Sequence, residues 1–307
     1  MKEFRANGKL LLSGEYFVLD GALSLGLPTR LGQRMTVEEY TSDEKKIHWQ
    51  GFDHENNSWF EVVYNISDLE IVSTSDNDAA ILLQKMLTFV ISKNATLLQT
   101  GNAFRIKTYL EFPRNWGLGS SSTLVVLLSK WANVDPFETL FNSMKGSGYD
   151  IACGMANGAV TYQLNGIIPK MAAVDFNPSY APNVYFVHLN QKQNSREGIA
   201  RYRAKTKLGI TPLGEISTLT NQFINAKTLK QFNKLIAKHE TLVAKTIELS
   251  RAKDLYFKDY QFGEIKSLGA WGGDFIMATS DKPKDETIQY FKNKGFETVL
   301  SWDEMIK

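Results

Sequence analysis

The chain has 307 residues, enough for two domains or one large one, and its 43% apolar residues together with 22 glycines make about half of it, an ordinary globular share. Disorder and collagen-like repeats are excluded. Lys and Arg number 35 against 33 Asp and Glu, a formal charge of +2, which is too small for a broad field that would hold nucleic acid or an anionic membrane.

The opening RANGKLLLSGEYFVLDGALSLGLP gives short apolar runs punctuated by glycine and reads as β-rich. Charged and polar residues concentrate at 41–58, which by composition is a hairpin tip or surface excursion, and WFEVVYNI beyond it is a strand candidate. Over 77–93, Ala80, Leu83, Leu87 and Val90 recur at helical spacing behind Asn77 or Asp78 as a cap, so a helix is expected. Residues 104–112 alternate Phe104, Ile106, Thr108, Leu110 and Phe112 against polar neighbours, a half-buried strand that Pro113 ends. GLGSSS at 117–122 follows, then TLVVLLSKWA as a buried helix and PFETLFNSM as a second, opened by Asp135-Pro136.

Pro169, Pro178 and Pro182 mark a domain boundary near 165–180, giving an N-terminal domain 1–168 and a C-terminal domain 169–307. The second half offers a strand NVYFVHL, a basic loop, and helix formers over 214–254 with Phe223, Leu229, Phe232, Leu235, Ile236 and Leu242 as a buried stripe. A glycine loop at 269–273, the strand FIMAT, the helix KDETIQYFKNKG and the strand FETVL complete an α+β pattern with helices on one face of an antiparallel sheet.

The lone cysteine, Cys153, rules out an intrachain disulfide framework, and a reducing, cytoplasmic setting is expected. No signal-peptide pattern and no run near the roughly 20 apolar residues of a membrane span stand out. His48, His54, His188 and His239 are scattered without metal-ligand spacing, which argues against a zinc enzyme.

GLGSSS is the strongest chemical signal. Glycines let backbone approach a ligand closely, a helix N-terminus offers unpaired N–H groups to a phosphate, and Ser120, Ser121 and Ser122 add hydroxyls. A glycine turn capped by serines explains the same string equally well. Gly8-Lys9-Leu10 is no Walker loop, and Ser122 stands where a dinucleotide fingerprint needs Gly or Ala. Alone, Lys9 reads as a strand-edge lysine, Asp150 as a helix cap, and Gly269, Gly272 and Gly273 as a hairpin turn. Lys192, Ser195, Arg196, Arg201 and Arg203 read as a solvated helix start, or as the cations an anionic substrate would need.

Taken in order, RANGKLLLSGEY at 5–16, PRNWGLGSSS at 113–122 and KSLGAWGGDF at 266–275 resemble the three motifs of the GHMP kinases, the superfamily of galactokinase, homoserine kinase, mevalonate kinase and phosphomevalonate kinase. The string Gly148-Tyr149-Asp150-Ile151-Ala152 resembles the signature of the GYDIA branch of that superfamily, and Gly14-Glu15-Tyr16, the GSGYD segment at 146–150 and Gly272-Gly273-Asp274 look more like phosphomevalonate kinases than mevalonate kinases. The resemblance spans essentially the whole chain. It implies an α+β fold of two domains, one similar to ribosomal protein S5 domain 2, with a left-handed crossover, and one ferredoxin-like.

It also implies phosphoryl transfer from ATP to a small-molecule substrate, 5-phosphomevalonate or mevalonate, with another small alcohol or a catalytically silent sensor as the alternatives. Gly117, Leu118, Gly119, Ser120, Ser121 and Ser122 would cradle the ATP phosphates, and Ser121, Ser122 and Glu138 would hold Mg2+. Asp150 and Lys9 would be catalytic. Glu15, Tyr16, Lys192, Ser195, Arg196, Gly269, Ala270, Gly272 and Gly273 would line the substrate site. No nucleic-acid or membrane partner is expected, and a homodimer stays open. Asn7 and Trp271 depart from the motifs, which usually have proline and a small residue there.

Overall fold

The computed structural model describes the chain except residues 101, 192–194, 207–211, 270 and 272 and the side chains of residues 195, 196, 205 and 206. Two compact units emerge, residues 1–8, 31–114 and 118–155 in the first and residues 9–30, 115–117 and 156–307 in the second. This division is interleaved along the chain, because β1 (Lys2–Ser13) and β2 (Ser24–Tyr40) each contribute residues to both units.

In the first unit, β3 (Lys46–Phe52), β4 (Ser58–Asn65), β5 (Ile71–Thr74) and β6 (Ala103–Leu110) join the later part of β2 in the order β5-β4-β3-β6-β2. The strand β6 runs antiparallel to β2 and parallel to β3, which it reaches after the helix α1 (Asn77–Lys93). β3 corrects the expected excursion at 41–58. Ile47, Trp49 and Gly51 are buried while Lys46, His48, Gln50 and Phe52 keep some exposure, a period of two that the polar residues hide in a composition count. Helix α1 has its expected limits and buried stripe, Ala80, Leu83, Leu87 and Val90, but its cap is corrected from Asn77 or Asp78 to Asp76, which accepts from the Ala79 N–H at 3.1 Å. Tyr64 of β4 ties this face of the sheet to α1, donating its hydroxyl to the Ala80 carbonyl at 2.7 Å. Helices α2 (Ser120–Ala132), α3 (Pro136–Ser143) and α4 (Tyr149–Met155) follow, with α2 buried nearly all round.

In the second unit, the early part of β2 pairs with β7 (Val160–Asn165), which pairs with β8 (Ile168–Ala173). Beyond them lie β9 (Val184–His188), α5 (Ser195–Thr206), α6 (Leu213–Asn225), α7 (Leu229–Ile247), α8 (Ala252–Tyr256), β10 (Ile265–Ser267), β11 (Phe275–Thr279), α9 (Lys284–Lys292), β12 (Val299–Ser301) and α10 (Trp302–Met305). The segment expected as a basic loop is mostly the helix α5. The four strands β9 to β12 form an antiparallel sheet in the order β10-β11-β9-β12, the arrangement of a ferredoxin-like split βαβ unit. Its core includes Val187, Phe257, Tyr260, Ile276 and Phe291. Phe223, Phe232 and Ile236 of the expected stripe are fully buried, whereas Leu229, Leu235 and Leu242 sit at its half-buried margin.

Candidate functional site

Lys9 projects from β1 half-buried, and its ammonium donates to the Gly117 carbonyl at 2.8 Å. Gly117 has φ 66°, and a Cβ there would stand 2.3 Å from Asp274 Oδ2, so the close approach of these two segments requires glycine. Asp274 is itself left-handed at φ 53°, its N–H donating to the Gln191 carbonyl at 3.0 Å while its own carbonyl accepts from the Leu189 N–H at 2.8 Å. Lys9, Trp116, Gly117, Gly269 and Asp274 line one small cleft of the second unit. Three glycine segments that are far apart in the chain thus meet around one ammonium group.

Past the end of β1, Glu15 belongs to a buried ionic cluster. Lys266 of β10 donates to Glu15 Oε1 and to the Ser267 carbonyl at 3.0 Å, and its ammonium is 3.7 Å from Glu240 Oε1. Glu240 Oε2 accepts from the Ser267 N–H at 3.0 Å and from its hydroxyl at 3.1 Å. His239 Nε2 lies 3.2 Å from Glu15 Oε2 and 3.4 Å from the Gly14 N–H. All four titratable side chains, Glu15, His239, Glu240 and Lys266, are at most 1% exposed. Burial raises the Glu15 carboxyl against the pull of Lys266, lifts Glu240 to about 7, and, with Lys266, drives His239 well below its ordinary value so that it stays neutral.

Tyr16 has positive φ, 64°, with ψ −45°, at the centre of a γ-turn closed by the Phe17 N–H donating to the Glu15 carbonyl at 2.8 Å, a strained conformation uncommon for a bulky residue. Its hydroxyl accepts the Trp271 N–H at 3.0 Å, and the Trp271 indole donates to the Ser250 carbonyl at 3.0 Å. Trp271 is 3% exposed and packs with Tyr16, Tyr202 and Val243. The tryptophan that departs from the expected motif is therefore a core residue of the second unit, and burial raises the Tyr16 phenol so that it stays protonated.

In the first unit, Gly119 precedes α2 at φ 93° and no side chain caps the helix. The N–H groups of the first turn have no intrahelical carbonyl to bond, and together with the helix dipole they favour an anion there. Ser121 is exposed and Ser120 half-buried, whereas Ser122 is buried and donates its hydroxyl to the Gly119 carbonyl at 2.8 Å. Asp150 lies in the first turn of α4, half-buried, with one carboxylate oxygen 3.1 Å from the Ile151 N–H. α4 packs on α2 through Gly154, whose Cβ would meet Val126 at 3.1 Å.

No sequence-family model and no curated protein matches the chain. Solved structures do. A Lin0012 protein from Listeria innocua superposes with a TM-score of 0.74 at 15% identity, covering 97% of this chain and 96% of that one. The Methanococcus jannaschii mevalonate kinase gives 0.70 at 16% identity over 97% and 96%. The Streptococcus pneumoniae phosphomevalonate kinase, solved with phosphomevalonate and AMPPNP, gives 0.70 at 18% identity over 98% and 100%. The chain has the GHMP kinase fold. At these identities the likeness carries the fold, and the residues have to speak for the site.

On the GHMP kinase fold, the expected Lys9, Gly117 and Gly269 come together in the cleft of the second unit. Glu15 and Tyr16 are buried, with Glu15 Oε1 held by Lys266 and the Tyr16 hydroxyl by the Trp271 N–H, while Glu15 Oε2 has only the His239 ring nitrogen near it at 3.2 Å. Lys192, Ala270 and Gly272 lie outside the described residues, as do the side chains of Ser195 and Arg196. Glu138 corrects the expected Mg2+ set. It follows the C-terminal end of α2, so most of a 13-residue helix, roughly 15 Å or more at about 1.5 Å per residue, separates it from Ser121 and Ser122, and its carboxylate pairs with Lys93 at 2.8 Å. Among the described residues no group of three His, Cys, Asp or Glu could hold a metal, and no helix is long and apolar enough to cross a membrane. Sequence reasoning quoted Asp274 and Lys266 within the third motif but gave neither a role, and it missed Glu240, which sits in an ordinary helix; only the fold brings Lys266 and Glu240 to Glu15.

Proposed function

We propose that the protein is an ATP-dependent small-molecule kinase that phosphorylates 5-phosphomevalonate or mevalonate. The observation that carries this reading is the Lys9 ammonium on the Gly117 carbonyl in a cleft that Gly269 and Asp274 also line, because a cation held among glycine segments suits a phosphoryl group in transfer. The uncapped start of α2, with Gly119 and Ser120 to Ser122, fits the phosphates of ATP. ATP supplies the γ-phosphoryl group. A bond forms between phosphorus and the substrate oxygen while the β,γ-bridging bond breaks and ADP leaves. Lys9 would neutralise charge on the transferring group, and Asp150 would take the proton of an alcohol substrate. The residues expected for a protein-held Mg2+ do not fit one, so no step is assigned to it and Mg2+ enters the test with ATP.

A coupled ADP-release assay with ATP and Mg2+ compares 5-phosphomevalonate, mevalonate, homoserine and galactose. Turnover on 5-phosphomevalonate, cut about 10²- to 10³-fold in kcat by Lys9→Met, is the expected result. A phosphate substrate is already anionic, so Asp150→Asn should then be milder than Arg196→Ala; the reverse ranking belongs to mevalonate. Turnover on homoserine or galactose alone would reassign the substrate. Nucleotide binding without turnover on any of the four would replace the kinase by a metabolite sensor.

A further inference from the structure

We propose that Glu15 and Tyr16 are positioning residues that clamp the third glycine segment at its described residues, from the β10 end through Lys266 and at Trp271, and so set the binding of the phosphoryl-accepting substrate without touching it. The loop joins β10 to β11 and carries Gly269 at φ 64°. Such a loop needs something outside itself to hold one shape, because glycine adds conformational freedom. Consecutive residues of the first glycine motif supply two grips. Glu15 binds the ammonium of Lys266, one residue inside β10, where Glu240 also holds the N–H and hydroxyl of Ser267. Tyr16 receives the backbone N–H of Trp271 in the middle of the loop.

Three further observations fit a clamp. The strained γ-turn backbone of Tyr16, of a kind that costs about 1–3 kcal/mol, persists only where its surroundings fix it, and it sets the direction of the phenol. The Tyr16 ring stacks on Tyr202 at 5.9 Å, so it is braced from the side opposite a free rotation. Helix α5 approaches so closely at Gly198 that a Cβ there would lie 2.5 Å from the Tyr16 hydroxyl oxygen. The phenol is thus wedged between α5 and the loop, and the carboxylate beside it is spent on Lys266. Neither group is presented to a small molecule.

The substrate part of this proposal rests on the kinase reading, whereas the clamp itself does not, and Tyr16→Phe separates the two. That variant keeps the ring, its packing and its stacking but removes the oxygen that accepts the Trp271 N–H. Hydrogen exchange of the Trp271 amide is expected to rise about fivefold to tenfold, the worth of one hydrogen bond, with the amides of α7 unchanged. Gly198→Ala should produce the same local rise by pushing the phenol away. Exchange at Trp271 that stays at the wild-type rate in both variants overturns the clamp. In kinetics, Tyr16→Phe is expected to raise KM for the accepting substrate about tenfold while KM for ATP and kcat stay near wild type. Equal loss across all three parameters, or faster exchange with no change in that KM, overturns the positioning role. Should the wild-type protein phosphorylate nothing, the kinase reading falls and the exchange experiment still decides the clamp.

Discussion

The start of α2 and the turn at Gly14 to Tyr16 are both glycine segments, yet they are built in opposite ways. At the start of α2 the useful groups are backbone N–H donors, set out by the left-handed Gly119, with Ser121 exposed and no side-chain cap. At Gly14 to Tyr16 the useful groups are buried side chains, with Glu15 at 1% exposure joined to Lys266 and Tyr16 joined to Trp271. The first arrangement leaves its donors for a guest and loses little if a serine changes. The second spends its polar atoms on the protein itself, so each removed partner strands another in a medium that solvates charge poorly.

The sharpest way to break that contrast is Lys266→Met set beside Ser121→Ala. Removing the ammonium leaves Glu15 and Glu240 buried without their cation, a change worth about 3–5 kcal/mol, whereas Ser121→Ala should fall within about 0.5 kcal/mol of wild type. Urea unfolding at pH 8 measures both. Because the stranded carboxyls can take up protons, the loss in Lys266→Met should be smaller at pH 5. A loss below about 1 kcal/mol at pH 8 would mean that the ion cluster does not hold this region.

The same contrast explains what was legible in the sequence. The helix α1, the strands β4, β6, β9 and β11 and the second-half sheet announce themselves through local periodicity, and Lys9, Gly117 and Gly269 through motif order. What escaped is non-local. β3 is a strand because β4 and β6 flank it, despite a composition that reads as a loop. The interleaved units arise because β1 and β2 each contribute residues to both, which no local signal shows. Glu240 carries no motif and Lys266 only opens one, whereas Trp271 packs in the core as a tryptophan in a glycine turn most often does, held by Ser250 and Tyr16. Glu138 misled because sequence distance from Ser122 says nothing about the helix that intervenes.

A second test sharpens the buried side of the comparison through pH. The groups facing Glu240 are Lys266, Glu15, Ser267 and, by its charge, Arg251, with His239 beside it in the chain. Burial lifts the Glu240 carboxyl from 4.5 to about 7, so between those values the folded protein binds this proton more tightly than the unfolded chain does. Its stabilisation is full below about 4.5 and is lost as pH rises through about 7. His239, lowered by burial, works in the opposite sense, stabilising above 6.5 and losing that contribution as pH falls, and it is common to wild type and variant. The unfolding free energy of wild type minus that of Glu240→Gln should therefore decline by on the order of 2 kcal/mol between pH 4.5 and 7.5 and then level off. A difference that is flat over this range would place Glu240 among ordinary carboxylates.

The smallest expected effect tests the open side. Glu138 and Lys93 form a surface pair with side chains about half exposed, a class worth roughly 0–1 kcal/mol, and Glu138 follows the C-terminal end of α2, away from its uncapped N–H groups. Glu138→Ala should leave nucleotide binding, its Mg2+ dependence and any turnover within about twofold of wild type, and should lower the thermal midpoint by no more than a few degrees. Titration of nucleotide at several Mg2+ concentrations checks this directly. A rise of tenfold or more in the Mg2+ needed for half-maximal binding would require the carboxylate to reach the far end of the helix. That would mean a rearrangement of α2 and α3, since a side chain fixed one turn into α3 cannot span a helix of 13 residues.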